Sequence, residues 1–176
     1  MKTIAICGAA AFLLAAGAAQ AATTVTINQI SKDGVGKEIG TIAVQETDKG
    51  VTFTPNLSGL PAGEHGFHVH QNPDCGPAEN NGAMAAGFAA GGHYDPSGTK
   101  KHQGPQHAGS AGHLGDLPAL TVAANGEAKQ AVTAPNLKLT DVQGRSLMIH
   151  EGSDNYSDEP KPLGGGGGRI ACGVVK

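Results

Sequence analysis

Wherever this chain carries a hydrophobic pattern, the pattern has a period of two. Thr24 to Ile27, Thr41 to Val44, Val51 to Phe53, Phe67 to His70, Leu120 to Val122 and Leu147 to His150 alternate apolar and polar residues over a few positions. That alternation puts successive side chains on opposite faces of a strand. No segment of useful length shows the 3.6-residue stripe of an amphipathic helix. Turn signals punctuate the runs, among them Asp48-Lys49-Gly50 and Asn125-Gly126, the second a strong hairpin marker. With 28 glycines and no tryptophan, the chain is suited to many turns and close backbone approaches. The expected fold is all-β, a Greek-key sandwich or barrel, whose last strand runs from Arg169 to Val175.

Two stretches break the pattern. Gln71 to Leu117 and Glu151 to Gly168 are long, rich in Gly, Pro, Asn and Asp, and without strand period. Loops beyond about 12 to 15 residues in a compact domain are usually functional or disordered. The first holds four of the eight histidines, so a ligand that orders it is the expected reason for its length. Gly164 to Gly168 is no phosphate loop, because neither Lys-Ser/Thr nor a helix follows. It reads as a flexible approach to the last strand.

The N-terminus sets the compartment. Met1-Lys2, an apolar run from Ile4 to Ala16 and the small-residue Ala19-Gln20-Ala21 make a secretory signal peptide, residues 1–21, ahead of one domain, residues 22–176. The apolar run is short for a spanning helix and no second one follows, so no membrane domain is expected. Cys7 would leave with the signal, and Cys75 and Cys172 remain. In an oxidising compartment such an isolated pair reads as a disulfide before it reads as two free thiols. Closing so long a loop allows roughly 4 to 5 kcal/mol in chain-entropy terms. Removing Lys2 takes the net charge of −3 one unit lower, and the remaining Lys and Arg are scattered, which excludes a nucleic-acid footprint.

The histidines carry the chemistry. In GEHGFHVH, residues 63 to 70, His68 and His70 share one strand face, with Phe67 and Val69 on the other. His65, three from His68, need not share that face and is set apart as a structural residue bonded to backbone. His93, His102 and His113 lie in the first long loop, and Asp116 follows His113 by three. Three neutral imidazoles and one carboxylate are a shell that zinc accepts, and metal binding would order the loop. His150 ends a strand of matching alternation, so a third imidazole can join the His68–His70 pair. All-nitrogen sites suit copper, zinc or nickel, and tetragonal ones favour Cu(II). Spacing alone does not divide the histidines between metals.

From about Thr24 to Val175 the chain resembles the copper/zinc superoxide dismutases of the bacterial secreted type. GFHVH, GGHYDP, KHQGP, GHLGDLP, MIHEGSDN and GGGGGRIACGV occur in family order. The resemblance implies that His68, His70, His93 and His150 bind copper, and that His93 bridges to a zinc held also by His102, His113 and Asp116, one ion of each per subunit. It implies that Asp154 links a copper histidine to a zinc histidine, that Arg169 draws in the superoxide anion, and that Cys75 and Cys172 form the intrachain disulfide. The activity implied is a two-step cycle. One superoxide reduces Cu(II) and leaves as O2; a second takes an electron from Cu(I) and leaves, with two protons, as H2O2, one of the protons coming from His93. The expected location is the periplasm, with monomer and homodimer both open. The rival reading is a periplasmic metal-buffering protein of the same fold with little turnover; such a carrier needs neither Arg169 nor Asp154. Gly76 to Gly92 lacks lysine, so Lys100, Lys101 or Lys161 would do any steering there. His107 belongs to no ligand motif and reads as a solvated loop residue.

Overall fold

The computed structural model describes residues 22–176; the signal-peptide reading of residues 1–21 lies outside the described residues. Three long strands open the chain: β1 (Thr23–Ser31), β2 (Gly34–Thr47) and β3 (Gly50–Leu57). The turn between β2 and β3 is Asp48-Lys49, closed by the Thr47–Gly50 pair. Shorter strands follow: β4 (Gly63–His65), β5 (Phe67–His70), β6 (Ala78–Asn80), β7 (Ala83–Ala85), β8 (Leu120–Val122) and β9 (Val132–Ala134). A one-turn helix α1 (Leu139–Val142) precedes β10 (Arg145–His150) and β11 (Arg169–Val175).

Seven strands form one antiparallel sheet in the order β5-β10-β11-β1-β2-β3-β9, curled into a half-barrel. The last strand, β11, lies beside β1, so β11-β1-β2-β3 has the spatial order of a Greek key. The inner face closes on one apolar core, where Phe67, Val69, Leu147 and Ile149 are fully buried and the Phe53 and Phe67 rings meet edge to face at 5.4 Å. Burial of each such side chain contributes about 1.5–3 kcal/mol, so the histidine-bearing strands β5 and β10 are pinned by their opposite faces.

The structure departs from the sequence reading in three places. The first long loop contains a small hairpin, β6–β7, turning at Asn81-Gly82, both with positive φ. The Asn125-Gly126 turn forms, but among the described residues no strand pairs back across it: the residues just beyond make a bridge from Ala128 to Leu57, and β9 pairs with β3. The glycine run is packed and not loose. Gly164 and Gly166 are buried, Asn155 N donates to Gly164 O at 3.1 Å and Gly152 N to Gly166 O at 2.8 Å. A Cβ at Gly164 would collide with the Asp154 carboxylate. Glycine there lets the backbone lie directly against that side chain.

Candidate metal centre

The first long loop is ordered by lying down beside β5. Tyr94 N donates to Val69 O (2.8 Å), Val69 N to Gly115 O (2.9 Å) and Gln71 N to Gly92 O (3.1 Å). Through these bonds His93 and Asp116 pair alongside His70 and His68. On the other edge, β10 places Ser146 opposite His70 and Met148 opposite His68. A register shift after Ile149 sets His150 opposite Arg169. Such bulges re-aim side chains beside functional sites.

Two groups of potential ligand atoms result. His68, His70, His93 and His150 form one, and His68, His93, His102 and Asp116 the other, each with its ligand atoms within 4.8 Å of one another. His113 joins the second cluster through Asp116, with Nδ1 3.2 Å from Oδ1. All these side chains are buried. In the first group, each ring's second nitrogen meets an acceptor. His68 Nε2 lies 2.7 Å from Asp154 Oδ2, His70 Nδ1 2.9 Å from Gly91 O, and His93 Nδ1 3.0 Å from Asp116 Oδ1. His150 Nδ1 is a longer 3.4 Å from Gly167 O. These partners assign the N–H to that nitrogen and leave a lone pair on the other; on His93 a metal ion in the second cluster would take the place of the Nδ1 proton. The remaining nitrogens, His68 Nδ1, His70 Nε2, His93 Nε2 and His150 Nε2, are buried with no hydrogen-bond partner. Buried polar atoms are seldom left so; four lone pairs gathered within 4.8 Å of one another fit a cation.

The second cluster makes the same demand differently. His102 donates Nε2–H to Asp154 Oδ1 at 2.7 Å, which leaves the lone pair of Nδ1 facing Asp116 Oδ1 at 3.0 Å without hydrogen-bond geometry. An acceptor set against an acceptor needs a proton or a metal ion between them. His93, His102 and His113 all bring Nδ1 to within 3.2 Å of the same carboxylate oxygen. Gln103 N donates to Asp116 Oδ2 and fixes the carboxylate's rotation. The donor set, three imidazoles and one carboxylate oxygen, fits zinc. The four-nitrogen set beside it fits copper.

Electrostatics separates the clusters. Burial, then the neighbouring His93, pushes His68 and His70 well below the ordinary imidazole range; burial takes His150 down to about 3. Burial also lowers His93, against the opposing pull of Asp116. These rings stay neutral, the form a metal requires. For His102, burial is outweighed by Asp116 and Asp154, which raise it to about 9. Asp154 is held below the usual carboxylate range by His102 and His68, against the opposing effect of burial. Its single carboxylate joins the clusters, and Tyr156 N donates to it at 2.8 Å.

A family model described as copper/zinc superoxide dismutase matches residues 38–175. The Escherichia coli superoxide dismutase (Cu-Zn) is 52% identical over 167 residues, covering 94% of this chain and 95% of that protein. The chain belongs to the copper/zinc superoxide dismutase family. Among solved structures, the Brucella abortus Cu/Zn superoxide dismutase superposes with a TM-score of 0.85 at 49% identity, covering 88% of this chain and 99% of that one. The monomeric copper, zinc superoxide dismutase of Salmonella enterica gives 0.78 at 53% identity, covering 89% of this chain and 100% of that one.

Other residues of interest are placed around this centre. Cys75 and Cys172 are bonded, with Cα atoms 5.7 Å apart. Arg169 donates Nη1–H to Gly87 O at 2.7 Å, and burial lowers its guanidinium to about 10, which leaves it charged. His107 is exposed. Sequence reasoning passed over Phe88, whose ring lies under Arg169, and the pair Arg145 and Tyr94, in contact at 3.5 Å. Pairs so distant in sequence leave no local pattern.

His65 touches neither cluster's free nitrogens. Its Nδ1 is 2.8 Å from His150 O and its Nε2 2.9 Å from Pro61 O. His65→Ala removes the buried ring that contacts the His150 and Pro61 carbonyls, and opens a cavity. The expected loss is about 2–4 kcal/mol in urea unfolding, with copper and zinc stoichiometry retained in metal analysis. A variant that folds stably without copper would make His65 part of the metal site.

Proposed function

We infer that this chain is a superoxide dismutase, converting superoxide to O2 and H2O2 with one copper and one zinc per subunit. The observation that carries this is the His93 ring, which offers Nε2 to a four-nitrogen cluster and Nδ1 to a carboxylate cluster. We assign His68, His70, His93 and His150 to copper, and His93, His102, His113 and Asp116 to zinc. Bound there, copper would carry the electron that one superoxide gives and the next takes, and zinc would supply a fixed positive charge beside it.

The protein does the rest by position. Asp116 fixes the Nδ1 side of His93, so that Nε2 can hold a proton and deliver it to peroxide. Asp154 grips His68 with one oxygen and His102 with the other and holds both ring planes. Phe67 and Val69 seal the core beneath β5 against water. Arg169 is the anion-guiding group: among the described residues no carboxylate lies within ion-pair distance to cancel its charge. Local focusing of this kind can outweigh a negative net charge, as the handling of superoxide by related enzymes illustrates. A metal buffer would require neither this uncancelled cation nor the Asp154 link.

The substrate is a small anion, and among the described residues no helix is long and apolar enough to cross a membrane. The N-terminal signal pattern and the disulfide support a periplasmic location for residues 22–176. A solution mass measurement distinguishes monomer from homodimer.

The test is to load the protein with copper and zinc and follow superoxide decay beside an Arg169→Ile variant. The native protein should catalyse the decay. The variant should keep its metals and lose on the order of 10- to 100-fold in rate at low ionic strength, with a flatter salt dependence. Bound copper without catalysed decay would favour the metal-buffering reading; an unchanged rate in the variant would remove Arg169 from the mechanism.

A further inference from the structure

Arg169 is a long side chain with several rotatable bonds, and an anion-guiding charge is useful only if it stays where the anion must go. Gly87 O holds one corner of the guanidinium, at 2.7 Å from Nη1. The carbon Cζ sits 4.3 Å from the centroid of the Phe88 ring. Nε and Nη2 donate to no described residue, so two edges of the fork stay open.

A carboxylate could fix an arginine as firmly, but it would cancel the field. An aromatic face attracts the cation through its quadrupole and leaves the net charge in place. Phe88 is itself held. Gly91 N donates to its carbonyl at 3.0 Å, the next residue's Ala89 N bonds Gly76 O at 3.1 Å, and Asn72 Nδ2 bonds Ala89 O at 2.8 Å. Cys75, beside Gly76, is bonded to Cys172 on β11, three residues from Arg169. Gly87 has a φ of 65°, and a Cβ there would lie 2.7 Å from Ile30 Cδ1 and 3.4 Å from Arg169 Cδ. The loop therefore comes close enough for ring and guanidinium to stack.

We propose that Phe88 is a positioning residue for Arg169: its ring face and the Gly87 carbonyl together hold the guanidinium in one orientation for a small anion at the copper site. This rests on the reading of Arg169 as the anion-guiding group, and the experiment separates the two.

Azide serves as the anion probe, titrated into the Cu(II) protein and followed by its optical band, in the native chain and in Phe88→Leu, Phe88→Tyr and Arg169→Ile. Phe88→Leu keeps apolar bulk and removes the ring; it should bind azide roughly fivefold more weakly with copper and zinc contents unchanged. Phe88→Tyr should restore native affinity. In the copper-free, zinc-loaded protein, the Arg169 Nε–H resonance should move in Phe88→Leu and stay in Phe88→Tyr, a readout independent of activity. Native azide affinity and an unmoved resonance in Phe88→Leu, with weakened binding in Arg169→Ile, would overturn the role of Phe88 and leave that of Arg169 standing. Unchanged affinity in Arg169→Ile would overturn the arginine reading, and the proposal with it.

Discussion

Alanine in place of His93 should disturb both metals at once. This one ring faces the four-nitrogen cluster with Nε2 and Asp116 with Nδ1, so its removal leaves each cluster one donor short. Loss of a group that merely orients a ligand costs about 10- to 100-fold in metal affinity; loss of a shared ligand should cost more than about 100-fold for zinc and alter the Cu(II) electron paramagnetic resonance spectrum. Superoxide turnover should fall by at least about 100-fold, since the proton carrier goes too. His150→Ala is the comparison: it removes a nitrogen from the first cluster only, and should weaken copper while zinc stays. Metal analysis after dialysis reads both. Full zinc retention and an unaltered copper spectrum in His93→Ala would show that the ring is not shared.

The second large effect is in acid. In protein stripped of metal by a chelator, His150 is held down to about 3 by burial, and His68 and His70 are depressed in the same direction. A histidine kept neutral in the fold but free to protonate once unfolded draws the chain towards the unfolded state as pH falls below its ordinary value, about 6.5. For His150 that window runs from about 6.5 to about 3. Each such group contributes a slope of about 1.4 kcal/mol per pH unit, so the three together reach at most about 4 kcal/mol per unit. Against a total stability of about 5–15 kcal/mol, two pH units should suffice to bring unfolding within reach. His102 has the opposite sign. Raised to about 9, it adds stability that is fully present below about 6.5 and lost as pH climbs through 9. Metal-free protein should therefore be most stable near neutrality. A urea midpoint that stays level between pH 6.5 and 4.5 would mean that the buried imidazoles do not control acid stability.

Much of this molecule is visible in its sequence because alternation is a local signal. Phe67–His70, Leu120–Val122 and Arg169–Val175 appear as strands with the ends that period two marks. The hairpin β6–β7 escapes because Ala, Glu, Asn and Met carry little strand preference, and Asn81-Gly82 alone marks it. Gly164–Gly168 reads as slack chain because composition cannot show what the glycines lie against, here Asp154 and His150. The histidines could be nominated from spacing. How they divide between two clusters could not, since His93 meets its partners through loop-to-strand bonds such as Tyr94 N to Val69 O. Phe88 lies 81 positions from the arginine that it supports, and nothing in its neighbourhood hints at a cation.

The loop that lies along β5 carries a further consequence. β5 ends the seven-stranded sheet, so its outer edge would present unpaired backbone groups if Tyr94, Gly92 and Gly115 did not occupy them. Those residues flank His93 and Asp116, so the backbone bonds that bring two ligand side chains to the site also cover the edge. An open sheet edge is a template for another chain. The loop is thus also a form of protection against self-association: a change that lifted it from β5 would scatter the ligand side chains and bare a sticky border in the same event.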